Sequence, residues 1–198
     1  DRTKDVIENL REHDERVRLA ALTVNRGKGA ALQEGVRVAD GDHVIFFDAD
    51  LSYPLEAVDR AMELLEENDV VVGGRDLDPS ASDSYSPLRR LTSSSFNFVV
   101  DRLLGLGIPD TQCGFKAFRK EPAKALFSHL TVNRFGFDVE LLYLSRRWNL
   151  SLTRIPVHMT HRPGSSVRVF RDSLQMLADI YRIRRNAREG IYPENLPA

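Results

Sequence analysis

Hydrophobic positions recur with a helical period at the start of the chain. Val6, Ile7 and Leu10 share one face, which predicts a helix over about residues 3–13. Val17 to Thr23 reads as a strand. The turn Asn25-Arg26-Gly27-Lys28-Gly29 leads into a small-residue helix carrying Ala31, Leu32, Gly35, Val36 and Ala39, which Gly41 stops. His43 to Phe47 is a short apolar run of the kind that forms a strand buried on both faces, and it ends abruptly in Asp48-Ala49-Asp50. Pro54 suits the first turn of the next helix, in which Leu55, Val58, Met62 and Leu65 keep the helical spacing. Asp69 to Gly73 is a further buried strand.

Helices alternating with strands in this way predict an α/β fold, a mostly parallel central sheet with helices on its faces. Gly74 to Pro87 is polar and rich in serine and proline, and reads as a loop. A helix is expected from Leu88 to Leu104, strands at Phe115 to Phe118 and Leu152 to Met159, and an amphipathic helix from Phe137 to Trp148. The last helix runs from about Phe170 to Arg188, with Phe170, Leu174, Leu177, Ile180, Tyr181 and Ile183 toward one side. The chain therefore divides into a domain over residues 1–168 and a basic amphipathic helix and tail over 169–198.

Composition narrows the class. The 198 residues are 42% hydrophobic and 29% charged, as in a soluble globular protein with a sizeable core. A formal net charge of −1 excludes a generally polycationic nucleic-acid binder. The single cysteine, Cys113, cannot form an internal disulfide and is compatible with a reducing, cytoplasmic setting. No stretch approaches the roughly 20 apolar residues of a membrane span. The chain opens without a signal-peptide pattern and without an initiator methionine, so a fragment or a processed form is expected. The charge is uneven. Arg162 to Arg188 holds seven arginines against two acids, a net +5 that leaves −6 on the rest. This basic end suggests an anionic partner.

Several short motifs carry chemistry. Asp48 and Asp50 stand at the carboxyl end of a buried strand, where ligands bind in open α/β sheets. Hard oxygens there suit Mg2+ or Mn2+, and the same residues equally suit a helix cap and a solvated acid. The Asn25–Gly29 turn permits close approach of an anion to a helix N-terminus, or is a tight turn with two solvated cations. Asp110-Thr111-Gln112-Cys113-Gly114-Phe115-Lys116 gathers acid, amide, thiol and amine; Cys113 reads as a small buried thiol rather than a nucleophile. Asp138 and Glu140 complement the dipole of the helix they open. His158 and His161 have no evident third ligand, which argues against zinc. Arg162 with Ser165 and Ser166 could hold phosphate oxygens or form a polar loop.

Taken together, these residues resemble glycosyltransferase family 2, in its branch of dolichyl-phosphate glucose and mannose synthases. Seven segments match in order: NRGKGAAL (25–32), FFDADLSYP (46–54), GGR (73–75), LRRLTSSSFN (88–97), DTQCGFKAFR (110–119), GFDVELLYLSRR (136–147) and HRPGSS (161–166). The resemblance implies a GT-A-like nucleotide-sugar-binding sandwich and transfer with inversion. It implies that Asp48 and Asp50 bind the metal and diphosphate, with Ser52 standing where some members use a glutamine as a third ligand. Lys28, Arg75, Arg89 or Arg90, and Arg162 with Ser165 and Ser166 would meet phosphates. Asp110 would lie near the reacting centre, and Phe96, Phe98 and the final helix would face lipid. The family normally opens with two strands, a helix and an acidic motif that this sequence enters only at Asp1-Arg2-Thr3, so about 40 to 50 residues are expected to be missing and the fold to be N-terminally incomplete.

The sequence thus predicts an inverting enzyme that moves a hexose from a nucleotide diphosphate sugar to a polyprenyl phosphate, with Mg2+ or Mn2+. DTQCGFK favours UDP-glucose, with GDP-mannose as the alternative. The protein is expected on the cytoplasmic face of a membrane, peripheral, with homo-oligomers possible. Two other readings stay open: a soluble saccharide or phosphate acceptor, and a non-catalytic fragment that binds a partner protein through an uncovered sheet edge.

Overall fold

A computed structural model of the chain describes residues 2–49, 52–78, 87–158 and 169–197, with side chains except at 87–95 and 169–174. Its helices are α1 (Thr3–His13), α2 (Lys28–Val38), α3 (Glu56–Leu64), α4 (Pro87–Leu104), α5 (Lys120–Ser128), α6 (Phe137–Arg147) and α7 (Val169–Arg188). The strands are β1 (His43–Phe46), β2 (Val70–Gly74), β3 (Lys116–Arg119) and β4 (Leu152–Pro156), in the sheet order β1-β3-β2-β4.

The α/β class predicted from the sequence holds, with one correction to the sheet. β2 and β4 pair in parallel, but β3 runs antiparallel to both β1 and β2. Three strands share a direction and the sheet is mixed. The chain enters β3 at the edge where β1, β2 and β4 end, so this strand must run backwards. A second correction concerns Val17–Thr23, which forms no ladder with any described strand. Alternation is not enough for a strand when no edge lies beside its backbone. Helix α5, which the sequence reading left out, follows β3 directly.

Side-chain alternation sorts the sheet onto two cores. Val44, Phe46, Val70, Val72 and Phe118 face a core shared with α4, α5, α6 and α7. Val71, Ala117 and Ile155 face the opposite layer, with Ala57, Ala61 and Leu65 at α3. Phe46 sits at the centre of an aromatic group, with Phe118, Phe127 and Phe137 ring centroids 6.1, 6.1 and 6.0 Å away. This anchors the end of β1 to α5 and α6. Lys124 of α5 donates to the carbonyls of Val36, Arg37 and Ala39 at 2.6, 2.9 and 2.6 Å, satisfying the orphan acceptors at the end of α2.

Helix α7 faces the core differently from the sequence reading. Met176, Ile180 and Ile183 are buried, whereas Leu177 is 42% and Tyr181 70% exposed. Positions 176, 180 and 183 follow the four-then-three spacing of one stripe; 177 and 181 lie one residue, about 100°, around the helix. The chain after α7 is tied back by a buried acid. Glu140 accepts from Thr131 N, Val132 N and Tyr192 Oη, the last at 2.5 Å. A buried carboxylate is tolerable with that many donors.

Candidate active site

The carboxyl ends of β1, β2 and β4 and the amino end of β3 lie along one edge of the sheet, and the charged motifs gather there. Asp48 follows β1 by two residues. Its Oδ1 accepts from Lys28 Nζ, at the first residue of α2, at 2.5 Å. Lys28 also lies 5.9 Å from the centroid of the Phe137 ring. The Asp48 carboxylate rests against Gly114, where any Cβ would run into it. Glycine at 114 is therefore a requirement of close approach. The Gly27–Gly29 turn is held from the other side: Ala30 N donates to Asn133 O at 3.1 Å, and a Cβ on Gly29 would come within 2.8 Å of Phe137 Cβ.

A second ion pair belongs to the 113–114 turn. Lys116, fully buried, donates to Asp138 Oδ1 at 2.5 Å and to Cys113 O at 2.7 Å. Burial pushes the Asp138 carboxyl up; Lys116 and Lys28 pull in the opposite direction, and Asp48 adds to the rise. Lys116 thus bonds the carbonyl of Cys113 in this turn, while the Asp48 carboxylate packs against Gly114. Tyr53 completes the turn by accepting from Gly114 N at 3.1 Å. Burial, and then proximity to Cys113, push the Tyr53 hydroxyl well above its ordinary range. Burial also raises the Cys113 thiol, whose side chain is fully enclosed. This agrees with an unreactive packing role.

The third pair sits after β2. Arg75 meets Asp110 as a fork, Nε to Oδ2 at 2.8 Å and Nη2 to Oδ1 at 2.6 Å, while Arg75 N adds a bond to Oδ2 at 3.0 Å. Burial alone would raise the Asp110 carboxyl, but the bonds from Arg75 win and hold it below the usual carboxylate range. The neighbouring Arg154 and Asp76 form another ion pair, and His158 Nδ1 lies 2.8 Å from Asp78.

Of the residues singled out from sequence, Lys28 and Asp48 meet directly, and Arg75 and Asp110 meet directly. Ser52 is buried, 7% exposed. Asp50, Arg162, Ser165 and Ser166 lie outside the described residues, as do the side chains of Arg89 and Arg90. Phe98 is exposed, but Phe96 packs against the core. Tyr53, Lys116 and Asp138 were missed as site residues. The available signal was Lys116, a charge inside an otherwise buried strand.

The donor chemistry of Asp48 fits a hard divalent ion: an oxygen ligand, 39% exposed, at a strand end and seated where a Cβ would fill the space. Among the described residues no group of three His, Cys, Asp or Glu side chains assembles, so Asp48 offers a donor rather than a full set.

Residues 1–127 match the family description "Glycosyl transferase family 2". The chain belongs to glycosyl transferase family 2. Within family 2 it is similar to the dolichyl-phosphate beta-glucosyltransferase of Dictyostelium discoideum, 37% identical over 185 residues, covering 89% of this chain and 56% of that protein. It is similar to the Homo sapiens protein of the same name, 35% identical over 178 residues, covering 86% of this chain and 55% of that one. The chain thus spans about half the length of these curated relatives. Among solved structures it resembles glucosyl-3-phosphoglycerate synthase from Mycobacterium tuberculosis in complex with UDP, with a TM-score of 0.59 at 21% identity over 83% of this chain and 57% of that one. The same synthase with Mn2+, UDP-glucose and phosphoglyceric acid gives 0.57 at 19% identity, again over 83% and 57%. These likenesses establish a GT-A-like fold.

Proposed function

We propose that the chain takes part in transferring glucose from UDP-glucose to dolichyl phosphate with the aid of a divalent cation. The observation that carries the proposal is the row of ion pairs along one sheet edge, Lys28–Asp48 and Arg75–Asp110, on a chain similar to dolichyl-phosphate beta-glucosyltransferases. UDP and Mn2+ accompany the structural neighbours, which supports the donor and the metal.

Asp48 is the described residue that would hold Mg2+ or Mn2+, with Asp50 and Ser52 proposed beside it. When bound, the ion would neutralise charge on the departing diphosphate. Lys28 supplies a second positive charge at the N-terminus of α2, a suitable place for phosphate oxygens. The Arg75–Asp110 fork favours an orienting role for Asp110 over a basic one. A carboxylate engaged through both oxygens, with its affinity for protons lowered, is a poor acceptor. A strong base is also unnecessary, because a phosphate monoester with a second pKa of about 6 is largely ionised at neutral pH. Arg162, Ser165 and Ser166 remain proposed phosphate contacts, and Arg89 and Arg90 donor contacts.

The test is transfer by the full chain with Mn2+, labelled UDP-glucose or GDP-mannose, and dolichyl phosphate in detergent. Glucose appearing on the lipid phosphate supports the reading. Transfer only from GDP-mannose overturns the donor, and transfer only to soluble phosphorylated acceptors overturns the lipid.

A further inference from the structure

The carboxylate proposed to hold the cation already has an ammonium on it. Lys28 Nζ lies 2.5 Å from Asp48 Oδ1, and both side chains are partly exposed, at 29% and 39%. Oδ2 rests against Gly114, so a divalent ion would have to bond near the oxygen that carries the ammonium, and the two positive charges would repel within a few ångströms of each other. We infer that Lys28 is a displaceable counter-ion of Asp48, which competes with the divalent cation and is released by it to serve the anionic donor. The inference rests on the proposed metal role of Asp48.

The surroundings of Lys28 supply what such a residue needs. In the same position the ammonium stands over the face of Phe137, 5.9 Å from the ring centroid, and aromatic faces attract ammonium groups, so Asp48 is not its sole attraction. It also has a second acid in range. Lys28 contributes to the electrostatics of Asp138, which otherwise belongs to Lys116. Leaving Asp48 therefore does not strand the charge. Its backbone, by contrast, is fixed. Lys28 opens α2, the Gly27 carbonyl accepts from Ala31 N at 3.1 Å, and Asn133 O holds Ala30. A fixed stem with a flexible four-carbon arm allows the ammonium to move while the turn stays in place.

Competition has a thermodynamic signature. If the cation must displace Lys28, part of its binding energy is spent on that exchange, and an anion that accepts the released ammonium restores it. Cation and anion should then bind cooperatively, each strengthening the other by the same factor. Removing Lys28 should tighten the cation alone and weaken the cooperativity. A structural lysine would give neither effect together.

The experiment is Mn2+ binding to the full chain by electron paramagnetic resonance, with and without inorganic pyrophosphate, for the native protein, Lys28→Met, Lys28→Gln and Asp48→Asn. Circular dichroism confirms folding, and the two Lys28 variants guard against one failing to fold. Expected is about tenfold tighter Mn2+ binding without pyrophosphate in both Lys28 variants, loss of most of the enhancement by pyrophosphate, and loss of binding in Asp48→Asn. Mn2+ binding that disappears in Asp48→Asn but is unchanged or weaker in both Lys28 variants overturns the inference alone. Mn2+ binding absent from the native chain, or indifferent to Asp48→Asn, overturns the metal reading and the inference with it.

Discussion

Asp110 and Arg75 form a well-enclosed ion pair at the site edge, with side chains 10% and 23% exposed. Asp110→Asn leaves the guanidinium buried without its charge partner, and should cost about 3 kcal/mol in urea unfolding. The pH dependence has a definite sign. The folded carboxyl is held below its ordinary value, so the pair's contribution is complete above the unfolded pKa of about 3.9 and is lost as pH falls through the lower folded value. The stability gap between native and Asp110→Asn should be flat from neutral pH to about 5 and shrink below about 4; a gap that widens in acid would contradict the pairing. Gly114→Ala tests the seat of Asp48. The added methyl displaces the carboxylate, so Mn2+ binding should fall sharply, with a stability loss of about 1–3 kcal/mol from overpacking. Unaltered Mn2+ affinity in a folded Gly114→Ala protein would separate Asp48 from the metal. At this scale the sequence marks Asp48 and Asp110 as candidates through their motifs, and the structure places each in an ion pair at the sheet edge. The pairing was opaque where partners are distant in sequence: nothing near Lys28 announces Asp48, and Asp138 looked like an ordinary helix-opening acid until Lys116 was found paired with it.

Elements were legible from periodicity wherever a hydrophobic stripe had a surface to cover. Helices at 3–13, 28–38 and 137–147 and strands at 43–46 and 70–74 sit within a residue or two of the sequence reading. The direction of β3 was not legible, because pairing direction follows from the edge by which a chain enters the sheet and not from side-chain alternation. Val17–Thr23 shows the same limit, since a strand is a property of two backbones. The rotation of α7 also escaped, because Leu177 and Tyr181 are large side chains with apolar bodies like those it buries. This yields a paired prediction. Ile183, fully buried, should cost about 2–5 kcal/mol when changed to Ala. Tyr181, 70% exposed, should cost no more than about 0.5 kcal/mol. Urea midpoints measure both, and equal losses would mean that the helix packs by a different face.

At the scale of the molecule, the question is what a dolichyl-phosphate acceptor would require of a surface. No described helix is long and apolar enough to cross a membrane. Helix α4 packs on α7, and both leave large apolar side chains in solvent: Phe98 is 69% exposed, Tyr181 70% and Leu177 42%. Arg182, Arg184, Arg185 and Arg188 are exposed on the same helix as Tyr181 and Leu177. The segment from Arg162 to Arg188 is net +5 on a chain whose remainder is −6, so attraction to an anionic surface competes with repulsion of the body. Each exposed cation near such a surface contributes roughly 1 kcal/mol at best, and salt screens it. We therefore expect weak, reversible binding of the full chain to phosphatidylserine vesicles in flotation assays, falling steeply as salt rises. Replacing Arg182, Arg184 and Arg185 together by Gln should abolish it, while leaving the fold intact because these side chains are exposed. Replacing Phe98 and Tyr181 by Ser should weaken binding without changing its salt dependence, since apolar contact is not screened. Binding that ignores both salt and the arginine change would assign the membrane contact to an apolar surface and remove the basic helix from it.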